Sequence, residues 1–179
     1  MLSKKKIKAI FLDRDGVINE DTGYVSNLSE VRFLRGVFKA IKDLNKASFF
    51  FVIITNQAGI AKKKIKYQDY LEIENYIETK IKRYTPNVVT YFCPHHKDAK
   101  IKSFRKNCFF RKPKPGMILH AAKKYNIDLK KSFLIGDKLT DIEAGKRAGV
   151  KNNFLISIHS NKKNFKNLIQ VSKYILKKK

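Results

Sequence analysis

Short, largely apolar runs alternate along the chain with longer segments whose apolar residues recur every three or four positions. The first run, Ile7 to Leu12, is broken only by Lys8 and stops at Asp13-Arg14-Asp15-Gly16. Phe49 to Ile54 is aromatic or β-branched throughout; Val88 to Phe92, Phe133 to Ile135 and Phe154 to Ile158 are three more runs. Continuous apolar runs of this length suit strands covered on both faces, as in a parallel sheet. The periodic segments predict helices. The first, at about 37–47, places Val37, Ile41 and Leu44 on one face. The second, at 67–84, carries Tyr70, Ile73, Ile77, Ile81 and Tyr84 and is stopped by Pro86. Others run from Gly116 to Tyr125, from Asp141 to Ala148 with Gly149 as its C-terminal cap, and over 163–176 through Phe165, Leu168, Ile169 and Ile175. Residues 16–35 and 93–115 read as polar loops. Strand and helix alternate without a linker or repeat. The expected class is α/β, a three-layer, Rossmann-like, mostly parallel sheet with helices on both faces, in one domain over 1–179.

In an open α/β sheet, ligands sit at the carboxyl ends of the strands. Three runs end in polar residues there: Asp13 and Asp15, Thr55 and Asn56, and Asp137. Arg111 and Lys112 close the second loop. Asp13 and Asp15 are spaced i, i+2 and so point the same way along a strand. Two close carboxylates repel unless a cation or a proton intervenes. Taken alone, the pair also describes a strand-ending turn, the two cations a solvated surface, and Asp137 with Asp141 a helix cap. Taken together, an acidic pair, a hydroxyl, a cation and a third acid make a phosphoryl-transfer kit.

Length and composition narrow the class. At 179 residues, 43% hydrophobic and 31% charged, the chain fits one globular core. Its formal charge of +25 suits an anionic partner. The charge comes mostly from lysines scattered over the whole chain, without an Arg-rich aromatic motif, which argues against nucleic acid. The rival class is a basic nucleic-acid-binding protein on an inactive phosphatase fold. Such a module has no need of three acids in a basic field. Two cysteines define no disulfide framework. No stretch reads as a secretory signal or approaches a membrane span, so a cytoplasmic protein with no membrane partner is expected.

The strings at these strand ends resemble the four motifs of the haloacid dehalogenase (HAD) superfamily of phosphatases. They are DRDG at 13–16, Thr55 in TNQAG, Lys112 in RKPKPG, and GDKLTD at 136–141. FLDRDGVIN, GYV at 23–25, TNQAGIA, CPHH at 93–96 and RKPKPGM are similar to the heptose 1,7-bisphosphate phosphatase branch, which also holds histidinol-phosphate phosphatases. The likeness runs to about residue 150. It implies an essentially capless, monomeric, Mg²⁺-dependent phosphatase whose loops enclose the substrate. Asp13 would form an aspartyl-phosphate, and Asp15 would serve as acid and then base. Mg²⁺ would lie on Asp13, Asp137 and the main-chain carbonyl of Asp15. Thr55 and Lys112 would hold the transferring phosphoryl, and Asn56, Arg111 and Lys138 the rest of the substrate. Asp141 would orient Lys138 or cap its helix. The implied substrate is D-glycero-D-manno-heptose 1,7-bisphosphate, losing its C7 phosphate in surface-polysaccharide heptose precursor synthesis; histidinol phosphate is the alternative.

The resemblance also implies a structural zinc site in the loop 93–115. Cys93, His95 and Cys108 match three of its four ligands, and Phe110 stands at the fourth. Either His96 or a water completes the shell, or the site is vestigial. His120 and His159 have no partner in the sequence and read as surface or helix residues.

Overall fold

The structure is a computed structural model describing residues 5–157 and 165–178. Its five strands form one fully parallel sheet: β1 (Ala9–Leu12), β2 (Phe50–Asn56), β3 (Val88–Cys93), β4 (Phe133–Gly136) and β5 (Asn152–Leu155), in the order β3-β2-β1-β4-β5. The helices are α1 (Val37–Lys46), α2 (Ala58–Ala61), α3 (Tyr67–Lys82), α4 (Gly116–Lys124), α5 (Leu139–Ala148) and α6 (Leu168–Lys177).

Strand β1 is central, and every one of its residues is buried. Successive side chains point to opposite faces. Ile10 and Leu12 pack with α1, α3 and α6, among them Ile41, Ile77 and Val171. Ala9 and Phe11 pack with α4 and α5, among them Ile118, Ala121 and Ala144. An unbroken apolar strand thus reflects a sheet covered twice, and the expected three-layer class is what forms.

Element ends differ from expectation where polar residues continue a ladder. Strand β2 runs on through Thr55 and Asn56, which pair with Phe92 and Cys93. Strand β5 starts two residues early, because Asn152 and Asn153 pair with Phe133 and Leu134. The expected last strand residue, Ile158, and His159 lie outside the described residues. Helix α6 starts at Leu168, where the Asn167 side chain accepts from the Gln170 N–H at 3.0 Å. Phe165, expected inside that helix, instead forms an isolated bridge with Ile156. Helix α3 ends at Lys82, before Tyr84. The short α2 was not expected at all.

The register places Leu12 beside Ile53 and Ile135, so Asp13 emerges at the carboxyl edge between β2 and β4. The loops 16–35 and 93–115 stand over this edge, and among the described residues no further domain covers it. Among the described residues no helix is long and apolar enough to cross a membrane.

Candidate active site

Asp13 is buried, and its main-chain N–H donates to Ile135 O at 3.0 Å, which fixes it to the end of β4. Its Oδ1 accepts from the Arg14 N–H at 2.7 Å and lies 2.8 Å from Lys112 Nζ. The same ammonium reaches Asp141 Oδ1 at 2.7 Å and donates to Ile54 O at 2.8 Å. Three acceptors match the three protons of a lysine. Asn56 holds the main chain of Lys112 from both sides: Nδ2 donates to Lys112 O, and Oδ1 accepts from the Lys112 N–H, each at 3.1 Å. Lys112 is therefore placed by β2, although it belongs to the second loop.

Carboxylate oxygens of Asp13, Asp137 and Asp141 lie within 4.8 Å of one another. Two glycines make the approach possible. A Cβ on Gly16, whose φ is +88°, would sit 2.4 Å from Asp137 Oδ2; one on Gly136 would sit 2.5 Å from Asp141 Oδ2. Burial pushes the Asp13 carboxyl well above the usual range; Lys112 opposes this, while Asp141 and Asp137 add to it. Burial also raises Asp137. For Lys112, burial works against the charge, but Asp13 and Asp141 outweigh it and hold the ammonium above its ordinary value.

The side chain of Asp15 is not part of this acid cluster, contrary to the convergence expected from i, i+2 spacing. Its carboxylate turns to Arg14, with Nε donating to Oδ1 and Nη2 to Oδ2, each at 3.0 Å. Asn19 Nδ2 and Gln57 Nε2 add donors at 2.9 Å each. The Arg14 guanidinium meets the charge of Asp15 and Lys112 that of Asp13, so the two aspartates do not share one cation. Asp15 still lines the same cleft of about 440 Å³ as Asp13, Thr55, Asn56, Arg111, Lys112 and Lys138. All seven are brought together, as expected, but not all in the expected posture. The Asn56 amide serves the Lys112 backbone. Lys138 Nζ pairs with Asp21 Oδ2 at 2.7 Å, and Arg111 Nη1 donates to His95 O at 3.2 Å. Asp141 caps its helix, its Oδ2 accepting from the Lys138 N–H at 3.0 Å; it touches the Lys138 main chain rather than orienting the ammonium.

Sequence reasoning missed Arg14, Asp21 and Gln57. Gln57 was detectable, because it lies two residues beyond Thr55 and so shares its side; its Nε2 also donates to Thr55 Oγ1 at 2.8 Å. Asp21 carried no local signal, since its partner is 117 positions away.

The acid cluster fits a divalent cation. Asp141 Oδ2 accepts from the Lys138 N–H and its Oδ1 ion-pairs with the Lys112 ammonium, whereas buried Asp137 Oδ1 accepts no hydrogen bond among the described residues. A pH dependence follows. A carboxyl raised in the folded state takes up a proton on folding; that stabilisation is complete below the ordinary carboxylate range and is lost as pH rises through the raised value. A divalent cation held by these carboxylates would replace the lost proton. The thermal shift on adding Mg²⁺ is therefore expected to be larger at about pH 8 than at about pH 5.5 in scanning fluorimetry. Equal shifts would show that Mg²⁺ does not act on these carboxylates.

The zinc-type loop brings Cys93, His95 and Cys108 together, with Cys93 Sγ 3.7 Å from His95 Nδ1. His96 does not join them. Neither of its ring nitrogens lies with the cluster, and its Nδ1 instead accepts from the Asp98 N–H at 3.1 Å. Phe110 packs its ring against His120 at 5.6 Å. Burial, with Cys108 adding to it, pushes the Cys93 thiol up to about 12. Three donors do not fit a closed structural zinc shell. The purified protein is expected to carry substoichiometric, dialysable zinc, and Phe110→Cys to hold one zinc tightly. Elemental analysis before and after chelator dialysis checks this; tightly held zinc in the wild type would contradict it.

Comparison with known proteins agrees with the geometry. A model of the HAD-hydrolase-like family matches residues 109–156. A D-glycero-alpha-D-manno-heptose-1,7-bisphosphate 7-phosphatase of Photorhabdus laumondii is 38% identical over 156 residues, covering 87% of this chain and 85% of the relative. A D-glycero-beta-D-manno-heptose-1,7-bisphosphate 7-phosphatase of Escherichia coli K12 is 38% identical over 153 residues, covering 85% and 80%. The crystal structure of a D,D-heptose 1,7-bisphosphate phosphatase from B. bronchiseptica, complexed with magnesium and phosphate, is similar with a TM-score of 0.81 at 28% identity, covering 97% of this chain and 100% of that one. With four motifs meeting at one sheet edge and relatives matched over most of their length, the chain belongs to the heptose bisphosphate phosphatase branch of the HAD superfamily.

Proposed function

We propose that the chain is a Mg²⁺-dependent phosphatase that removes the C7 phosphate of D-glycero-D-manno-heptose 1,7-bisphosphate, in surface-polysaccharide heptose precursor synthesis. The observation that carries the chemistry is the buried Asp13 with one carboxylate oxygen tied to Lys112. The relatives, named for the alpha and the beta anomer, supply the sugar. Oδ1 of Asp13 is held, which leaves Oδ2 to attack phosphorus as the bond to the sugar oxygen breaks. Asp15 gives that oxygen its proton. It then takes a proton from the water that attacks the aspartyl-phosphate and frees Asp13. Thr55 and Lys112 bind the transferring oxygens. Asp13, Asp137 and the main-chain carbonyl of Asp15 would hold Mg²⁺, which when bound neutralises the acids and lets a phosphate dianion approach. The loops 16–35 and 93–115 close over the sugar in place of a cap domain.

Phosphate release from the two heptose bisphosphate anomers, histidinol phosphate and a 3′-phosphorylated oligonucleotide, assayed side by side, tests the reading. The heptose bisphosphates should be the best substrates by kcat/KM. Preference for histidinol phosphate would reassign the enzyme, and preference for the oligonucleotide would favour a nucleic-acid role.

Arg111 supplies a finer test. One guanidinium nitrogen donates to His95 O, and the side chain lines the cleft. A planar fork there suits the phosphate that is not transferred. Arg111→Ala is expected to weaken a bisphosphate by on the order of 30- to 150-fold relative to a heptose monophosphate, as loss of a charge-assisted bidentate contact requires. Equal losses on both would place Arg111 on the transferring group.

A further inference from the structure

Arg14 stands between the two aspartates of DRDG, yet its side chain is only 1% exposed. A charge buried this completely must be paired on every side. Its guanidinium meets two acids. Toward the cleft, it grips both oxygens of Asp15 through Nε and Nη2 at 3.0 Å each. Away from the cleft, Nη1 donates to Glu74 Oε2 at 3.3 Å. The Tyr70 hydroxyl donates to the same Oε2 at 3.0 Å, and the Tyr70 ring lies 5.6 Å from the guanidinium carbon. Tyr70 and Glu74 are spaced i, i+4 on α3 and so share one helix face.

We propose that Arg14, clamped from behind by Glu74 and Tyr70 of α3, is the positioning residue that sets the plane of the Asp15 carboxylate for proton transfer to the leaving group. The proposal rests on the reading of Asp15 as acid and base given above. A tether between α3 and β1 alone would require only the contact with Glu74. The hydrogen bonding is instead lopsided. The fork toward Asp15 is complete, whereas Glu74 Oε1 is buried without a hydrogen-bond partner among the described residues. The other two donors to Asp15 cannot fix its plane as firmly. Asn19 Nδ2 also donates to Glu20 O, and Gln57 Nε2 to Thr55 Oγ1, each at 2.8 Å. Each amide has somewhere else to go. Arg14 has only Glu74, and Glu74 is fixed to a helix.

Position matters most where a proton must be delivered. An alkoxide leaving from a sugar needs that proton, whereas p-nitrophenolate leaves without it. Arg14→Lys keeps the charge but loses the fork. It should therefore reduce kcat/KM for heptose bisphosphate at least about tenfold more than for p-nitrophenyl phosphate, within the range that general acid catalysis contributes. Glu74→Gln and Tyr70→Phe, which loosen the clamp from behind, should shift the same ratio in the same direction by less. They also serve if Arg14→Lys does not fold. Crystal structures of the wild type and of whichever variant folds give a second readout, with the Asp15 carboxylate expected to turn out of its wild-type plane. Equal losses on both esters, or an unmoved Asp15 carboxylate, would overturn the proposal. A wild type that releases phosphate from no ester would sink the phosphatase reading and this proposal with it, whereas an active wild type whose variants lose both esters equally would overturn this proposal alone.

Discussion

Asp13→Asn is expected to lower turnover at least ten-thousandfold while leaving the fold in place. An amide oxygen cannot take the phosphoryl group and give it up again to water, so the covalent route is closed rather than slowed. The fold should survive because Lys112 keeps two of its three acceptors, Asp141 Oδ1 and Ile54 O. Loss of one of three crowded carboxylates also removes repulsion. Asp15→Asn should be nearly as inactive for a different reason. Attack by Asp13 remains possible on p-nitrophenyl phosphate, whose leaving group needs no proton, but the base for the second step is gone, so with that ester phosphorylated Asp13 should accumulate and be visible by intact mass. Turnover measured by phosphate release, with a thermal melt beside it, checks both. Asp13→Asn activity within about tenfold of wild type would remove Asp13 as the nucleophile.

The layered fold was legible because its sheet is buried on both faces. Ile10 and Leu12 face one helical layer, Ala9 and Phe11 the other, so β1 had to be apolar at every position. Legibility failed where hydrogen bonding, not burial, sets an element. Asn152 and Asn153 look like a loop, yet they complete the ladder on β4. In the site, residue types at strand ends were enough to bring Asp13, Thr55 and Asp137 to one edge, because a parallel sheet aligns its carboxyl ends, whereas Lys112 arrives from the second loop. Side-chain direction was not legible. Alternation along a strand turned Asp13 and Asp15 the same way, but the chain leaves the strand at Leu12 and Asp15 already lies in a turn, where Ile18 and Asn19 N–H groups donate to Arg14 O. There the partner decides, and the partner of Asp15 is its own neighbour, Arg14. The pairs Lys112–Asp141 and Lys138–Asp21 join segments far apart in sequence, and no local pattern announces them.

Lys112→Met should be the most destabilising single change in the site. The ammonium is buried, and it lies within 2.8 Å of two carboxylates that are themselves buried. Removing it leaves Asp13 and Asp141 facing each other without a counter-charge, beside Asp137. Breaking a buried ion cluster from one side costs about 3–5 kcal/mol, because the surviving charges stay desolvated. Turnover should fall at least about a hundredfold as well, since no fixed cation remains to meet the phosphoryl oxygens. The activity loss would be electrostatic rather than positional, because Asn56 still holds the main chain of residue 112 through both of its amide bonds. A second substitution separates the two effects. Asp141→Asn in the Lys112→Met background removes one orphaned charge, so it should recover part of the stability and none of the turnover. Urea melts of the single and double variants, with phosphate release measured on each, make the comparison. A Lys112→Met protein as stable as wild type, or a double variant less stable than the single, would show that these charges do not hold one another in place.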